Sequence, residues 1–411
     1  MNKHYQIFRL PAWLITLFAI AGGTLAAQEA TPVEATPVDD LDAVWDAVSE
    51  WYVDPAYGSA PWDALRDDYR SRVQNAEDAE SAYRLIAEML EHLDNEDTFI
   101  IPPWLVPQLA TSASEEPEQE YAGVGVMISE FMEVGVVVTG TFRDAPAEKA
   151  GVLPGDIIIA VDGEPLVEEE GTQGVADRVR GPVGTEVTLT LRDPDGNDRD
   201  ITITRGHIDL RPSVDAREAR PGIGYIRLPM LTVDLVEQAS RALPTLLSTT
   251  GIALDLRGIS SGTPEAMVVL AQWFLGPTQL GTIVTREEEF PIPHLPDAIA
   301  AYRRPVVVIT DSRTSGVAEV LAEVLREYGR ARIVGAKTRG GSQVAQIVPL
   351  PSGALLHLVI GRYVTPRGTV LQSEGIVPDV ELEPPDLATI RAGEDPYLDR
   401  AEEILRRGGR I

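Results

Sequence analysis

The 411-residue chain contains no cysteine, which excludes disulfides, thiol catalysis, zinc–cysteine sites and a lipid-bearing cysteine behind a leader. Lysine is nearly as scarce. Lys3, Lys149 and Lys337 are the whole supply, so chemistry that needs an amine base has few residues to draw on. The five histidines are scattered and show no H-E-x-x-H spacing, which argues against metal catalysis and leaves no metal or other cofactor implied. Basic stretches with interleaved aromatics are also missing. At a formal net charge of −29 the chain repels a phosphate backbone, and nucleic acid is not an expected partner. The acidic excess is spread along the sequence and serves solubility.

The length suits two or three domains with sizeable cores. Lys3, His4 and Arg9 precede an apolar run over 10–21 and a small-residue stretch over 22–27, the layout of a secretory leader. Cleavage after Ala26 would put Thr24 at the minus-three position, so removal of the leader and retention as a membrane anchor both stay open. Either way the remainder is expected outside the cytoplasm, secreted or anchored. Residues 28–40, with a repeated Ala-Thr-Pro-Val, read as a Pro-rich spacer. A helical region follows over 41–110. There Leu41, Val44, Trp45 and Val48, then Tyr83, Ile86, Leu90 and Leu93, recur at helical spacing, and the aromatic stripe reads as core. Residues 111–120 form a polar, acidic linker.

Residues 121–208 predict a β-rich domain. Pro146 to Ala150 suits a short helix, Gly151 and Gly155 permit sharp turns, and 157–161 is a compact strand closed by Asp162-Gly163. Gly123, Val124, Gly125 and Val126 form a loop whose N–H groups suit capture of a peptide's terminal carboxylate while the peptide's strand adds to the sheet. Over 209–385 strands and helices alternate. Residues 222–228 and 251–256 are strand-like, 233–247 and 263–275 helix-like, and an α/β sheet with parallel pairs follows. The most telling unit is 305–346. An apolar, β-branched strand over 305–310 meets a polar turn at 311–314, and Val317, Val320, Leu321, Val324 and Leu325 then form a helical stripe. A strand over 331–335 and the pair Gly340-Gly341 close the unit. Such a strand-to-helix turn presents side chains beside backbone N–H groups at a helix start. Residues 386–411 read as a helical tail.

These motifs resemble a known family. The strand ending in Thr310-Asp311, the serine-to-Glu319 spacing at a helix start, Ile333-Val334-Gly335 followed by Lys337-Thr338, and the later Glu374-Gly375-Ile376-Val377-Pro378-Asp379 look like the tail-specific, or C-terminal processing, serine peptidases. Ala145 to Gly151 with Leu153-Pro154-Gly155-Asp156 resembles the PDZ domain inserted in that family. The resemblance implies an α/β fold with three parts: a helical N-terminal region, a PDZ-like β-rich domain, and a peptidase-type core of alternating strands and helices. It covers about residues 41–385.

The family uses a serine nucleophile with a neutral lysine as base. Its nucleophile sits three residues before the glutamate matching Glu319, where this chain has Gly316. Its lysine falls on Gly341, and a histidine found in many members falls on Asp97; His92 is nearby but reads as a surface or packing residue. The family's oxyanion turn corresponds to 255–262, with Gly262 kept and Ser260-Ser261 in place of proline and glycine. Its lysine-side glutamine matches Gln343 or Gln346. Two readings follow. In one, proteolysis is weak or lost and the protein is an exported scaffold that binds peptide or unfolded-protein C-termini. In the other, a shifted dyad of Ser315 and Lys337 works with Gly262 and the Gly316 amide as oxyanion hole.

Overall fold

The computed structural model describes residues 35–57, 62–107, 120–131, 135–142, 144–167, 171–193, 196–209, 213–293, 301–371 and 374–409. The leader expected over 1–27, the first part of the spacer and all but the last residue of the linker over 111–120 lie outside them. The chain divides into two units. One comprises Met1–Ser114, Ser213–Leu382 and Ala401–Ile411, the other Glu115–Pro212 and Glu383–Arg400.

The first unit opens with three helices. α1 (Pro37–Trp51) starts inside the stretch read as spacer, because Thr36 caps it. The Thr36 hydroxyl accepts the Asp39 N–H at 3.4 Å while Asp39 accepts the Thr36 N–H at 2.8 Å, and Pro37 fills the first turn. α2 (Trp62–Gln74) and α3 (Ala79–Glu91) follow, and Leu41, Val44, Val48, Ile86 and Leu90 bury their shared face. Each such side chain contributes about 1.5–3 kcal/mol by leaving water. Asp40, fully buried, accepts the Tyr83 hydroxyl at 2.5 Å and the Ser352 N–H at 3.0 Å, which ties the helices to a distant hairpin. β1 (Phe99–Ile101) then leads out of the helical region.

The second unit is an antiparallel domain. β2 (Glu120–Gly123) pairs with β9 (Gly206–Asp209). β3 (Val126–Phe131), β4 (Gly135–Thr141), β5 (Ile157–Val161), β7 (Glu186–Arg192) and β8 (Asp198–Thr204) form a sheet in the order 3-4-5-7-8, with the short β6 (Glu164–Pro165) on β5. α4 (Pro146–Ala150) ends at Gly151 in the left-handed region, as read from sequence, and α5 (Gly171–Val179) completes the domain. Its core includes Val124, Val138, Ile158, Val175, Leu189 and Ile203.

Returning to the first unit, β10 (Asp215–Arg220), β11 (Ile223–Arg227), β12 (Gly251–Asp255), β15 (Val306–Thr310), β16 (Ala331–Gly335) and β19 (Val380–Glu381) form the main sheet in the order 10-11-12-15-16-19. All pairs but β10–β11 are parallel. Every residue of β12 and β15 is buried, as continuous apolar runs require at the centre of a parallel sheet. The helix expected over 233–247 is broken into α6 (Val233–Ser240) and α7 (Leu243–Leu246), since Pro244 cannot donate within a continuous helix and instead fills the first turn of a new one. α8 (Pro264–Leu275) and α9 (Val317–Glu327) flank the sheet. A second, antiparallel sheet joins β1, β13 (Thr282–Thr285), β14 (Glu289–Pro291), β17 (Gln343–Pro349) and the long β18 (Leu355–Val364). The tail holds α10 (Leu387–Arg391) and α11 (Pro396–Arg406).

α9 departs from the half-wet helix that its stripe suggests. Glu319, Glu323 and Glu327 recur every fourth residue and all three are buried, because loops cover them. Glu327 accepts the Thr365 hydroxyl at 2.5 Å, the Thr369 hydroxyl at 2.8 Å and the Arg367 N–H at 3.1 Å. Glu323 pairs with Arg326, which donates to the Val377 carbonyl at 2.6 Å.

Candidate active site

At the carboxyl end of β15, Asp311 organises the turn. Its Oδ1 accepts N–H groups from Thr314 at 2.9 Å and Arg313 at 3.1 Å, and also the Gly258 N–H at 2.9 Å from the turn after β12. The Thr314 hydroxyl donates to the Leu256 carbonyl at 3.1 Å and the Ser315 N–H to the Ile259 carbonyl at 2.9 Å, so the two turns are laced together. The β12 turn has its own clamp. Asp255, without solvent exposure, receives Arg257 Nε at 2.9 Å, Arg257 Nη2 at 2.6 Å and the Tyr225 hydroxyl at 2.6 Å. Burial alone works upward on the Asp255 carboxyl, but the hydrogen bonds and charge of Arg257 outweigh it and hold the group below its ordinary value. The Tyr225 hydroxyl is pushed up by burial and by the Asp255 charge.

Gly316 caps α9 with φ +64° and ψ −136°, a conformation that side chains seldom tolerate and that forms a sharp strand-to-helix elbow. The loop after β16 runs past it. The Arg339 N–H donates to the Thr314 carbonyl at 2.9 Å, and Ser315 bridges Gly340. Glu319, fully buried one turn into α9, accepts the Gly340 N–H at 2.8 Å, the Ser342 hydroxyl at 2.6 Å and the Thr338 hydroxyl, and so fixes the loop. The glycines leave open space. Beyond chain neighbours, a Cβ on Gly316 would meet only the Gly341 carbonyl at 4.0 Å, and one on Gly341, at φ +87°, only Asp97 Oδ2 at 3.9 Å. Three positions far apart in sequence therefore converge. Asp97 arrives on a turn anchored to β17 and β18: Asn95 donates to Gln343 Oε1 at 3.0 Å, and His357 Nδ1 lies 2.6 Å from the Asp97 carbonyl.

Gly262 borders the same elbow. A Cβ there would fall 2.7 Å from Leu231 Cβ and 2.8 Å from Val317 Cγ2, so only glycine fits beside the first residue of α9. Among the described residues, neither the Gly262 nor the Gly316 N–H donates to a protein acceptor. Ser315 is 7% exposed and its hydroxyl has no hydrogen-bond partner among the described residues, whereas Lys337 is exposed and pairs with nothing there. No hydrogen bond joins them. Of the two glutamines, Gln343 is held by Asn95 while Gln346 is exposed. His92 hydrogen-bonds the Tyr69 hydroxyl at 3.0 Å and packs edge-on against its ring. Sequence reading missed the loop clamp of Glu319 and the Asp255–Arg257 pair; the only signal was an acidic residue inside each apolar element. Among the described residues no cluster of His, Cys, Asp or Glu is arranged to hold a metal ion.

In the second unit, the loop between β2 and β3 leaves the Val124 and Gly125 N–H groups without protein acceptors among the described residues. Gly123 ends β2 and Val126 opens β3, which lies at the sheet edge with β4 as its sole strand partner among the described residues. Gly125, at φ +76°, would drive a Cβ to 2.5 Å from that of Ala145. The α5 side chains Val175 and Val179 are buried.

An α/β core with a strand-to-helix elbow, preceded by helices and interrupted by an antiparallel domain with a free edge strand, defines a class of serine hydrolases with an inserted peptide-binding domain. Residues 222–382 match peptidase family S41, residues 137–193 a PDZ domain and residues 34–91 the tricorn protease C1 domain. The carboxyl-terminal-processing protease of Picosynechococcus sp. is 30% identical over 410 residues, covering 97% of this chain and 96% of that protein. That of Synechocystis sp. is 30% identical over 378 residues, covering 89% and 86%. Among solved structures, the photosystem II D1 C-terminal processing protease is similar at 26% identity, with a TM-score of 0.53 over 87% of this chain and 97% of that one. The tricorn protease shares the fold at 17% identity, with a TM-score of 0.54 over 90% of this chain and 36% of that one. The chain belongs to peptidase family S41 and is a homologue of the carboxyl-terminal-processing proteases with a PDZ domain.

Proposed function

We infer that the protein binds the C-terminal segments of peptides or unfolded proteins outside the cytoplasm and has little or no capacity to cut them. The observation that carries this reading is the convergence of Gly316, Gly341 and Asp97 at one elbow, where the family's nucleophile, lysine and histidine belong. A backbone at Gly316 has no hydroxyl to attack a carbonyl, and one at Gly341 has no amine to take a proton. General-base assistance alone contributes about 10²–10⁴ in rate. Lys337 does not offer a substitute base, since its exposed side chain makes no hydrogen bond to Ser315 among the described residues. The free N–H groups of Val124 and Gly125 and the open edge of β3 support capture of a terminal carboxylate with strand addition. Placement outside the cytoplasm rests on the apolar leader.

The test is cleavage of an unfolded polypeptide over hours by wild type, Ser315→Ala and Lys337→Ala, with calorimetry on a peptide bearing a free or an amidated C-terminus. The reading expects no difference among the three proteins in cleavage and weaker binding of the amide. Efficient cleavage by wild type, abolished by both substitutions, would instead establish the shifted Ser315/Lys337 dyad.

A further inference from the structure

The elbow holds a carboxylate that faces glycine and has no polar partner among the described residues. Asp97 is partly buried, its turn is pinned to β17 and β18, and its side chain makes no hydrogen bond or ion pair among the described residues. The space before it is bounded by two glycines, with Asp97 Oδ2 3.9 Å from where a Cβ on Gly341 would lie. Basic residues on the bordering elements, Lys337, Arg339 and Arg362, form no ion pair with it. The described residues therefore bring together an anion, two glycines with room for a side chain and two backbone donors without protein acceptors, at Gly262 and Gly316, and none of their cations is paired with the anion.

We propose that this site receives a lysine or arginine side chain of a bound polypeptide, whose cationic head pairs with Asp97 in the volume left by Gly316 and Gly341. The inference rests on the peptide-binding reading above and names the chemistry that the core unit selects. A long aliphatic stem tipped by a cation suits a volume walled by backbone and closed by a carboxylate. The Gly262 and Gly316 N–H groups can hold a carbonyl oxygen of the same guest segment. A neutral guest leaves the Asp97 carboxylate unpaired, and an acidic one meets like charge.

The experiment uses the full chain and pairs of unstructured peptides with free C-termini, identical except that a lysine scanned along the sequence is replaced by norleucine. At low salt, lysine at one position is expected to tighten binding about tenfold, the gain of one partly buried charge-assisted pair. Asp97→Asn should remove that preference. Glu96→Gln, which alters the exposed neighbouring carboxylate, should keep it, and this separates the site from the general attraction of an acidic protein for basic peptides. Gly341→Lys, placing a cation of the chain's own before Asp97, should also remove it. Peptides that bind through a free C-terminus with no lysine preference, or a preference that survives Asp97→Asn, would overturn this inference while sparing the scaffold reading. Absence of any peptide binding would overturn both.

Discussion

The loop between β2 and β3 of the PDZ domain and the elbow of the core are both built from glycine-rich backbone, yet they differ in what can be lost from them. On the proposed reading the loop works through N–H groups at Val124 and Gly125, which the chain path supplies without a reactive side chain. The elbow presents N–H groups in the same manner at Gly262 and Gly316, but bond cleavage needs a hydroxyl and an amine as well. A binding site made of backbone persists as long as the fold does. On the proposed scaffold reading, a reactive site is lost through two substitutions while the strands and turns around it stay in register.

The strongest way to break this contrast is to place a serine and a lysine at the elbow. Gly316→Ser with Gly341→Lys is expected to raise cleavage of an unfolded substrate at least about 10²-fold above wild type. The lysine would stand against Asp97, whose charge keeps an ammonium protonated, so adding Asp97→Asn should raise the rate further. A flat rate in both variants would show that the elbow itself has been reshaped. Next in size is Glu319→Ala, which strips the acceptor from Thr338, Gly340 and Ser342 and should cost about 3 kcal/mol in denaturant unfolding. Peptide binding by the PDZ domain should be unchanged in that variant. Gly262→Ala forces a methyl into Leu231 and Val317 and should cost about 1–3 kcal/mol. An unchanged unfolding midpoint would mean that the turn can shift freely.

Acid sharpens the same contrast, since Asp255 clamps the elbow's neighbouring turn. Its folded-state carboxyl lies below the unfolded value of about 3.9, so its stabilisation is fully present above that pH and is lost as the pH falls through the lower folded value. Wild type should therefore lose stability on acidification below about pH 4, and Asp255→Asn should show a shallower loss there while being less stable at neutral pH, where the ion pair of Asp255 with Arg257 is gone. Parallel curves for the two proteins would remove Asp255 from the account. The smallest effect expected is that of Thr36→Ala, about 1 kcal/mol from loss of the α1 cap, read as a shift in melting temperature with peptide binding untouched.

Much of the architecture is legible in the sequence because it depends on local pattern. The continuous apolar runs of β12 and β15 announce buried parallel strands, and Gly151, Asp162 and Gly163 announce turns that the structure contains. The elbow is legible as a strand, polar turn and helical stripe. Its meaning is less so. That Asp97 faces Gly341 depends on β1 and β17 both pairing with β18, a long-range contact that no spacing encodes. The burial of Glu319, Glu323 and Glu327 was equally hidden, since a helix with acids every fourth residue reads as one wet face until the loops that cover it are known. The division of 233–247 into α6 and α7 was missed because the apolar periodicity runs through Pro244.

Those three glutamates give α9 a role in time as well as space. Glu319 holds the loop that carries Gly340 and Gly341, Glu323 acts through Arg326 on Val377, and Glu327 holds the turn from Thr365 to Thr369. Three stretches of chain that would otherwise fray separately are thus fastened to one helix, and none can peel away without leaving a buried carboxylate or its partner arginine short of a hydrogen bond. Hydrogen exchange should find the amides of Gly340 and Arg367 opening with similar free energies, as members of one cooperative unit that melts with the helix.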